Sequence, residues 1–231
     1  MKKIGLIGGM SWESSLEYYR LLNQLTKKEL GEPHSAELIM YSVDFARFEE
    51  MQHKVQWDKM AVEMIDIARK LKATGAELLL ICTNTMHKLA PAIENEVDIK
   101  LIHIADATGV AIISEGLDTV GLLGTNFTMT EDFYKERLNK KFNIEVLIPE
   151  AEEREVIHNT IYKELISGII KEDSLEKFQK IIINLKEKGA EGVILGCTEI
   201  PLLVKEKDSS LPIFNTMEIH AKKAIEQALS S

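Results

Sequence analysis

Two short segments of this 231-residue chain hold the side chains best suited to moving a proton: Cys82-Thr83-Asn84-Thr85 and Gly196-Cys197-Thr198-Glu199. A thiol ionises near neutrality, and a helix N-terminus lowers its pKa further. Cys197 lies between an apolar run and a helix expected from about Thr198, a setting that favours acid–base work. An inert thiol at the end of a buried strand is the alternative. Asn84, Thr85 and Thr198, together with backbone amides at two helix N-termini, are suited to hold a carboxylate. Glu199 is suited to accept hydrogen bonds from an ammonium group.

Positioning such groups is the task of the elements around them. Short apolar runs alternate with amphipathic stretches, the pattern of a parallel sheet covered by helices. Strands are expected at Ile4–Ile7, Leu38–Val43, Leu78–Cys82, Lys100–His103, Thr119–Leu123, Ile144–Ile148, Gly192–Leu195 and Pro212–Phe214. Helices are expected over Trp12–Leu30 and Trp57–Thr74, each stopped by a glycine, Gly31 and Gly75. Further helices are expected near Ala105–Glu115, Glu131–Lys140, Arg154–Ile170, Leu175–Lys188 and Met217–Leu229.

An internal repeat organises these elements. Gly75-Ala76-Glu77-Leu78-Leu79-Leu80-Ile81-Cys82-Thr83-Asn84-Thr85 aligns without a gap on Gly189-Ala190-Glu191-Gly192-Val193-Ile194-Leu195-Gly196-Cys197-Thr198-Glu199, at an offset of 114 residues (Gly75 to Gly189). Ile4-Gly5-Leu6-Ile7-Gly8-Gly9 aligns on Val120-Gly121-Leu122-Leu123-Gly124-Thr125 at an offset of 116 (Ile4 to Val120). The bland alternative is a chance match of strand-plus-glycine text. Two ordered matches predict two similar α/β lobes: residues 1–104 plus 215–231, and residues 105–214. In open parallel sheets functional groups collect beyond the carboxyl ends of the strands. The repeat puts Thr83 and Cys197 at equivalent strand ends. Lobes related by a pseudo-twofold would set them on opposite sides of a cleft.

Composition limits the partners. A net charge of −9 argues against nucleic acid and anionic membranes. No apolar run reaches the length of a membrane span. Glu13, Glu17 and Arg20 interrupt the N-terminal apolar stretch, so a secretion signal is not expected and a cytoplasmic location is. The two cysteines are then expected reduced. No Cys or His pair has zinc-ligand spacing, so no metal is expected. Gly5-Leu6-Ile7-Gly8-Gly9 lacks the dinucleotide spacing and reads as a tight turn over a substrate.

Gly8-Gly9-Met10-Ser11-Trp12-Glu13-Ser14, Cys82-Thr83-Asn84-Thr85-Met86-His87 and Gly196-Cys197-Thr198-Glu199-Ile200 resemble, in this order, the aspartate/glutamate racemase family. The resemblance covers essentially the whole chain. It implies two Rossmann-like lobes, an amino-acid substrate, no cofactor such as PLP, and a homodimer. One departure matters: the family's cysteine before Asn-Thr is here Thr83, with Cys82 one residue earlier. A one-residue shift turns a strand side chain to the other face. Cys82 is therefore expected in the sheet packing and Thr83 in the first catalytic position, as the gapless repeat also has it.

The resemblance implies a two-base racemase of an acidic amino acid, with Cys197 as principal base and acid and Thr83 opposite. A hydroxyl is the poorer acid–base group, so the enantiomer presenting its α-proton to Cys197 is expected to react faster. The resemblance also implies substrate contacts from the backbone of Met10 and from Thr125. Gln52 and Lys163 are further candidates for the distal carboxylate, the alternative for each being a solvated surface residue. A related single-cysteine decarboxylase or isomerase, or an intracellular amino-acid sensor, are the rival readings.

Overall fold

The computed structural model describes residues 1–230, which form two compact α/β units: Met1–Ile104 with the chain from His220 onward, and Ala105–Ile219. The first unit runs β1 (Ile4–Gly8), α1 (Trp12–Leu30), β2 (Leu38–Ser42), α2 (Phe45–His53), α3 (Trp57–Ala73), β3 (Leu78–Ile81), a 3₁₀ turn (Thr85–Leu89), α4 (Ala90–Glu96) and β4 (Lys100–Leu101). Helix α5 (Ile104–Ser114) leads into the second. There follow β5 (Thr119–Gly124), α6 (Asn126–Thr130), α7 (Asp132–Phe142), β6 (Glu145–Leu147), α8 (Ala151–Lys163), α9 (Glu172–Glu187), β7 (Gly192–Gly196), α10 (Ile200–Leu203), β8 (Ile213–Asn215) and α11 (Thr216–Leu229).

Each unit holds a four-stranded parallel sheet. The strand orders are β2-β1-β3-β4 and β6-β5-β7-β8, the same topology twice. The register repeats too. Ile4 lies opposite Leu78 in the first sheet and Val120 opposite Gly192 in the second, the residues that the two sequence offsets match. Two strand pairs with equivalent register do not arise from a chance match of apolar text, so the bland reading of the repeat falls.

Strands β1, β3 and β7 are buried along their whole length, and β5 from Val120 on, as parallel strands covered on both faces must be. The covering helices show why. On α3, Met60, Met64, Ile67, Ala68 and Leu71 are buried on one face at helical spacing. On α9 the equivalent stripe is Ser174, Phe178, Ile181, Ile182 and Leu185.

Several boundaries differ from expectation. The helix expected over Arg154–Ile170 is α8, starting at Ala151 and ending at Lys163. A 3₁₀ turn at Leu165–Ser167 then closes on left-handed Gly168. Helices α2, α4 and α6 were not expected at all. Asp44 caps α2 by accepting from Ala46 N at 3.2 Å, and Phe48, Met51 and Gln52 form its buried face.

Candidate active site

In the first unit the glycine-rich turn after β1 is shaped by what it must approach. Gly9 has φ +92°, and a Cβ there would stand 2.3 Å from the Val43 carbonyl oxygen. Its N–H donates to Ser15 Oγ at 2.7 Å, and Ser15 Oγ donates to the Ser11 carbonyl at 2.9 Å. Ser11 caps α1 by accepting from Ser14 N at 3.3 Å. Ser14 Oγ then donates to the Cys82 carbonyl at 2.8 Å, joining this turn to the carboxyl end of β3. The serines of the first motif thus hold the chain next to Thr83.

Cys82 is 1% exposed and burial pushes its thiol far up, leaving a packed, inert group. Thr83 is half-buried, one residue further on. Asn84 and Thr85 are buried at the start of the 3₁₀ turn. Met10 is buried in the core of this unit, which also contains Met86.

In the second unit Gly124 and Gly196 are register partners at the ends of β5 and β7, so Thr125 and Cys197 follow on adjacent strands. Cys197 Sγ donates to Glu199 Oε2 at 2.9 Å, and Thr198 Oγ1 donates to the same oxygen at 2.7 Å. Glu199 is 8% exposed. Burial pushes the Cys197 thiol well up, and the Glu199 carboxylate adds to the effect.

That direction corrects an expectation. The helix expected near Thr198 is only α10, four residues starting at Ile200 with Pro201 in its first turn. So short a helix lacks the aligned dipoles that lower a thiol pKa. The 3₁₀ turn after Asn84 likewise replaces the helix N-terminus expected there. Substrate anions at these strand ends would meet individual N–H and side-chain donors, not helix dipoles.

The other expected residues sit as follows. Thr125 is 8% exposed and caps α6, its Oγ1 accepting from Thr128 N at 3.4 Å. Gln52 is buried on α2, which removes the solvated alternative for it. Lys163 is exposed at the end of α8, on a surface hollow of about 300 Å³ that Glu152, Glu155 and Lys177 also line. Two histidines escaped the sequence reading. His158 Nδ1 accepts from Asn126 N at 3.3 Å, next to Thr125. His87 Nδ1 donates to the Thr83 carbonyl at 2.8 Å. His87 closes the second motif, four residues after Thr83, but carries no assigned role there.

Among the described residues no group of three or more His, Cys, Asp or Glu side chains is arranged to hold a metal ion, and no helix is long and apolar enough to cross a membrane.

Comparison with known proteins agrees with this arrangement. The sequence profile of the Asp/Glu/Hydantoin racemase family matches residues 7–224. A crystal structure described as a candidate Asp/Glu racemase from Yersinia pestis is 49% identical, with a TM-score of 0.95 over 100% of both chains. An aspartate racemase homologue from Pyrococcus horikoshii OT3 is 38% identical, with a TM-score of 0.88, again over 100% of both chains. The broad specificity amino-acid racemase RacX of Bacillus subtilis (strain 168) is 22% identical over 98% of both proteins.

Proposed function

The chain belongs to the Asp/Glu/Hydantoin racemase family, and from that premise we propose that it racemises aspartate or glutamate by two-sided proton transfer at the α-carbon. Cys197 is the principal acid–base group and Thr83 takes the opposite role. The observation that carries the reading is the Cys197 thiol donating to buried Glu199 at the end of β7, with Thr83 at the equivalent end of β3.

Removing an α-proton makes a strongly basic carbanion, so the site must offer a base on one face and an acid on the other. A thiolate with a raised pKa is a stronger base once formed, and Glu199 stands 2.9 Å away to accept the proton that must leave first. Thr198, donating to the same carboxylate oxygen, holds that acceptor in place. Asn84, Thr85, Thr198, Thr125 and the backbone at Met10 are the groups we assign to the substrate carboxylate and ammonium. Gln52 and Lys163 are the candidates for the distal carboxylate. No cofactor enters this chemistry. We place the protein in the cytoplasm, where its two free thiols stay reduced.

The test is incubation with L- and D-aspartate, L- and D-glutamate and a set of neutral amino acids in D₂O. Chiral chromatography reads inversion and mass spectrometry reads α-deuteration. Inversion and deuteration of an acidic amino acid are expected, without added PLP. Binding with neither would make the chain a sensor, and loss of CO₂ would make it a decarboxylase. The wider panel is warranted because the Bacillus relative is named for broad specificity.

We further propose a homodimer. Supporting it, Trp12, Leu16 and Tyr19 lie on one face of α1 and are 64%, 57% and 50% exposed, an apolar stripe suited to a second copy. Leu16→Asp is expected to shift sedimentation from dimer to monomer. A wild-type protein that sediments as a monomer at micromolar concentration would remove this proposal.

A further inference from the structure

Thr83 is a weak acid–base group, and its usefulness depends on where its hydroxyl points. A displacement of about 1 Å in such a group costs on the order of 10²-fold in rate. The backbone around Thr83 is held from both sides. The peptide before it has its carbonyl, Cys82 O, held by Ser14 Oγ at 2.8 Å, and one peptide earlier Cys82 N donates to the Ile7 carbonyl at 2.9 Å. The peptide after it has its carbonyl, Thr83 O, held by His87 Nδ1 at 2.8 Å. Two fixed peptide planes determine φ and ψ of the residue between them, and with these the direction of its Cα–Cβ bond.

His87 is suited to this task because its ring is itself held. It is 1% exposed, and its centroid lies 4.7 Å from that of His103 and 5.5 Å from that of His220. A carbonyl can only accept, so Nδ1 of His87 carries the proton. His220 is locked by similar logic, with Nε2 donating to the Ile102 carbonyl at 2.7 Å and Nδ1 paired with Tyr18 OH at 2.8 Å. Burial lowers the His220 pKa to about 4, so this neighbour is neutral near pH 7 and does not repel a ring pressed against it. The repeat does not carry this histidine into the second unit. At the offset of 114 residues, His87 matches Pro201, which has no side-chain donor, and the Cys197 carbonyl accepts from Ile200 N at 3.3 Å. The added side-chain anchor is found where the reactive group is the weaker one.

We propose that His87 is a positioning residue for the reaction: through its hydrogen bond to the Thr83 carbonyl it aims the Thr83 hydroxyl at the substrate α-carbon. This rests on the assignment of Thr83 as the second acid–base residue, so the experiment separates the two. Inversion and α-deuteration are measured in D₂O from both enantiomers for His87→Leu, His87→Asn, His87→Gln and Thr83→Val. Inversion needs residue 83; deuteration of the enantiomer facing Cys197 does not. His87→Leu is expected to slow inversion about tenfold or more while that deuteration stays within about twofold, which also certifies the fold. His87→Asn, whose amide nitrogen falls near Nδ1, is expected to recover most of the inversion, and His87→Gln, whose amide nitrogen falls near Nε2, is not. Should the leucine variant not fold, the Asn–Gln comparison decides. Inversion and deuteration falling together, or Asn and Gln behaving alike, would overturn the positioning role. Normal inversion in Thr83→Val would instead overturn the assignment of Thr83. Lost inversion in Thr83→Val with normal inversion in His87→Leu would leave that assignment standing and remove only His87.

Discussion

Cys197→Ser is expected to lose α-proton exchange by about 10²-fold or more from the enantiomer that faces it, and to stay folded. General acid–base groups contribute about 10² to 10⁴-fold, and each tenfold is about 1.4 kcal/mol in the barrier. The substitution is nearly isosteric, keeps a donor for Glu199 Oε2 where Sγ now stands 2.9 Å away, and removes only the acidity. The control is the other cysteine. Cys82 is 1% exposed within apolar packing, so Cys82→Ser buries a hydroxyl there, costs roughly 1–3 kcal/mol of stability and leaves exchange largely intact. Deuteration rates and thermal melts of the two variants check both halves. A Cys197→Ser protein keeping more than about a tenth of the wild-type rate, less than about 1.4 kcal/mol of barrier, would show that the principal base lies elsewhere. A well-folded but inactive Cys82→Ser protein would reverse the register and make Cys82 the second acid–base residue.

That register was legible in the sequence because it follows from the period of a strand. Laying Gly196-Cys197 over Cys82-Thr83 puts the two cysteines at different positions, and the burial of Cys82 with half-exposure of Thr83 follows. The eight strands and the long helices were legible for the same kind of reason: each has an apolar face whose period declares it. Helices α4 and α6 were not, since five to seven residues hold too few turns to show a period. Helix α2 carried a readable signal in Asp44 followed by Phe45, Phe48 and Met51.

The site was legible as residues and illegible as electrostatics. Cys197, Thr198 and Glu199 are neighbours in sequence, yet nothing there says that both side chains before Glu199 turn onto one of its oxygens. Burial of the thiol, and after it that contact with Glu199, reversed the expected direction of the thiol pKa. His87 stands inside the second motif, but its contact with a backbone carbonyl four residues away is not encoded by a pattern of residue types.

Thr83→Cys is expected to raise inversion in both directions and to erase an asymmetry in proton exchange. The equilibrium constant of a racemase is one, so kcat/KM for inversion is the same from L and from D in any variant. A weak residue 83 therefore cannot make one direction of inversion faster in kcat/KM; it makes the barrier on its own side the higher one for both. With a hydroxyl at residue 83, the enantiomer facing Cys197 loses and regains its proton many times before it inverts, so solvent deuterium enters it without inversion. From the other enantiomer the slow step comes first, and the carbanion is then captured from the Cys197 side. It inverts with almost no deuterium in the remaining substrate. A thiolate at residue 83 far outperforms an alkoxide precursor as base near neutral pH, because an alcohol is scarcely ionised there. Lowering that barrier is expected to raise inversion kcat/KM by about tenfold or more, some 1.4 kcal/mol, equally from both sides. The two ratios of exchange to inversion then converge toward one. The measurement is deuterium content of residual substrate against extent of inversion, from pure L and pure D, in wild type and Thr83→Cys. Equal ratios from both enantiomers in the wild type would mean that Thr83 already matches Cys197 as an acid–base group, and the unequal-barrier mechanism would have to be given up.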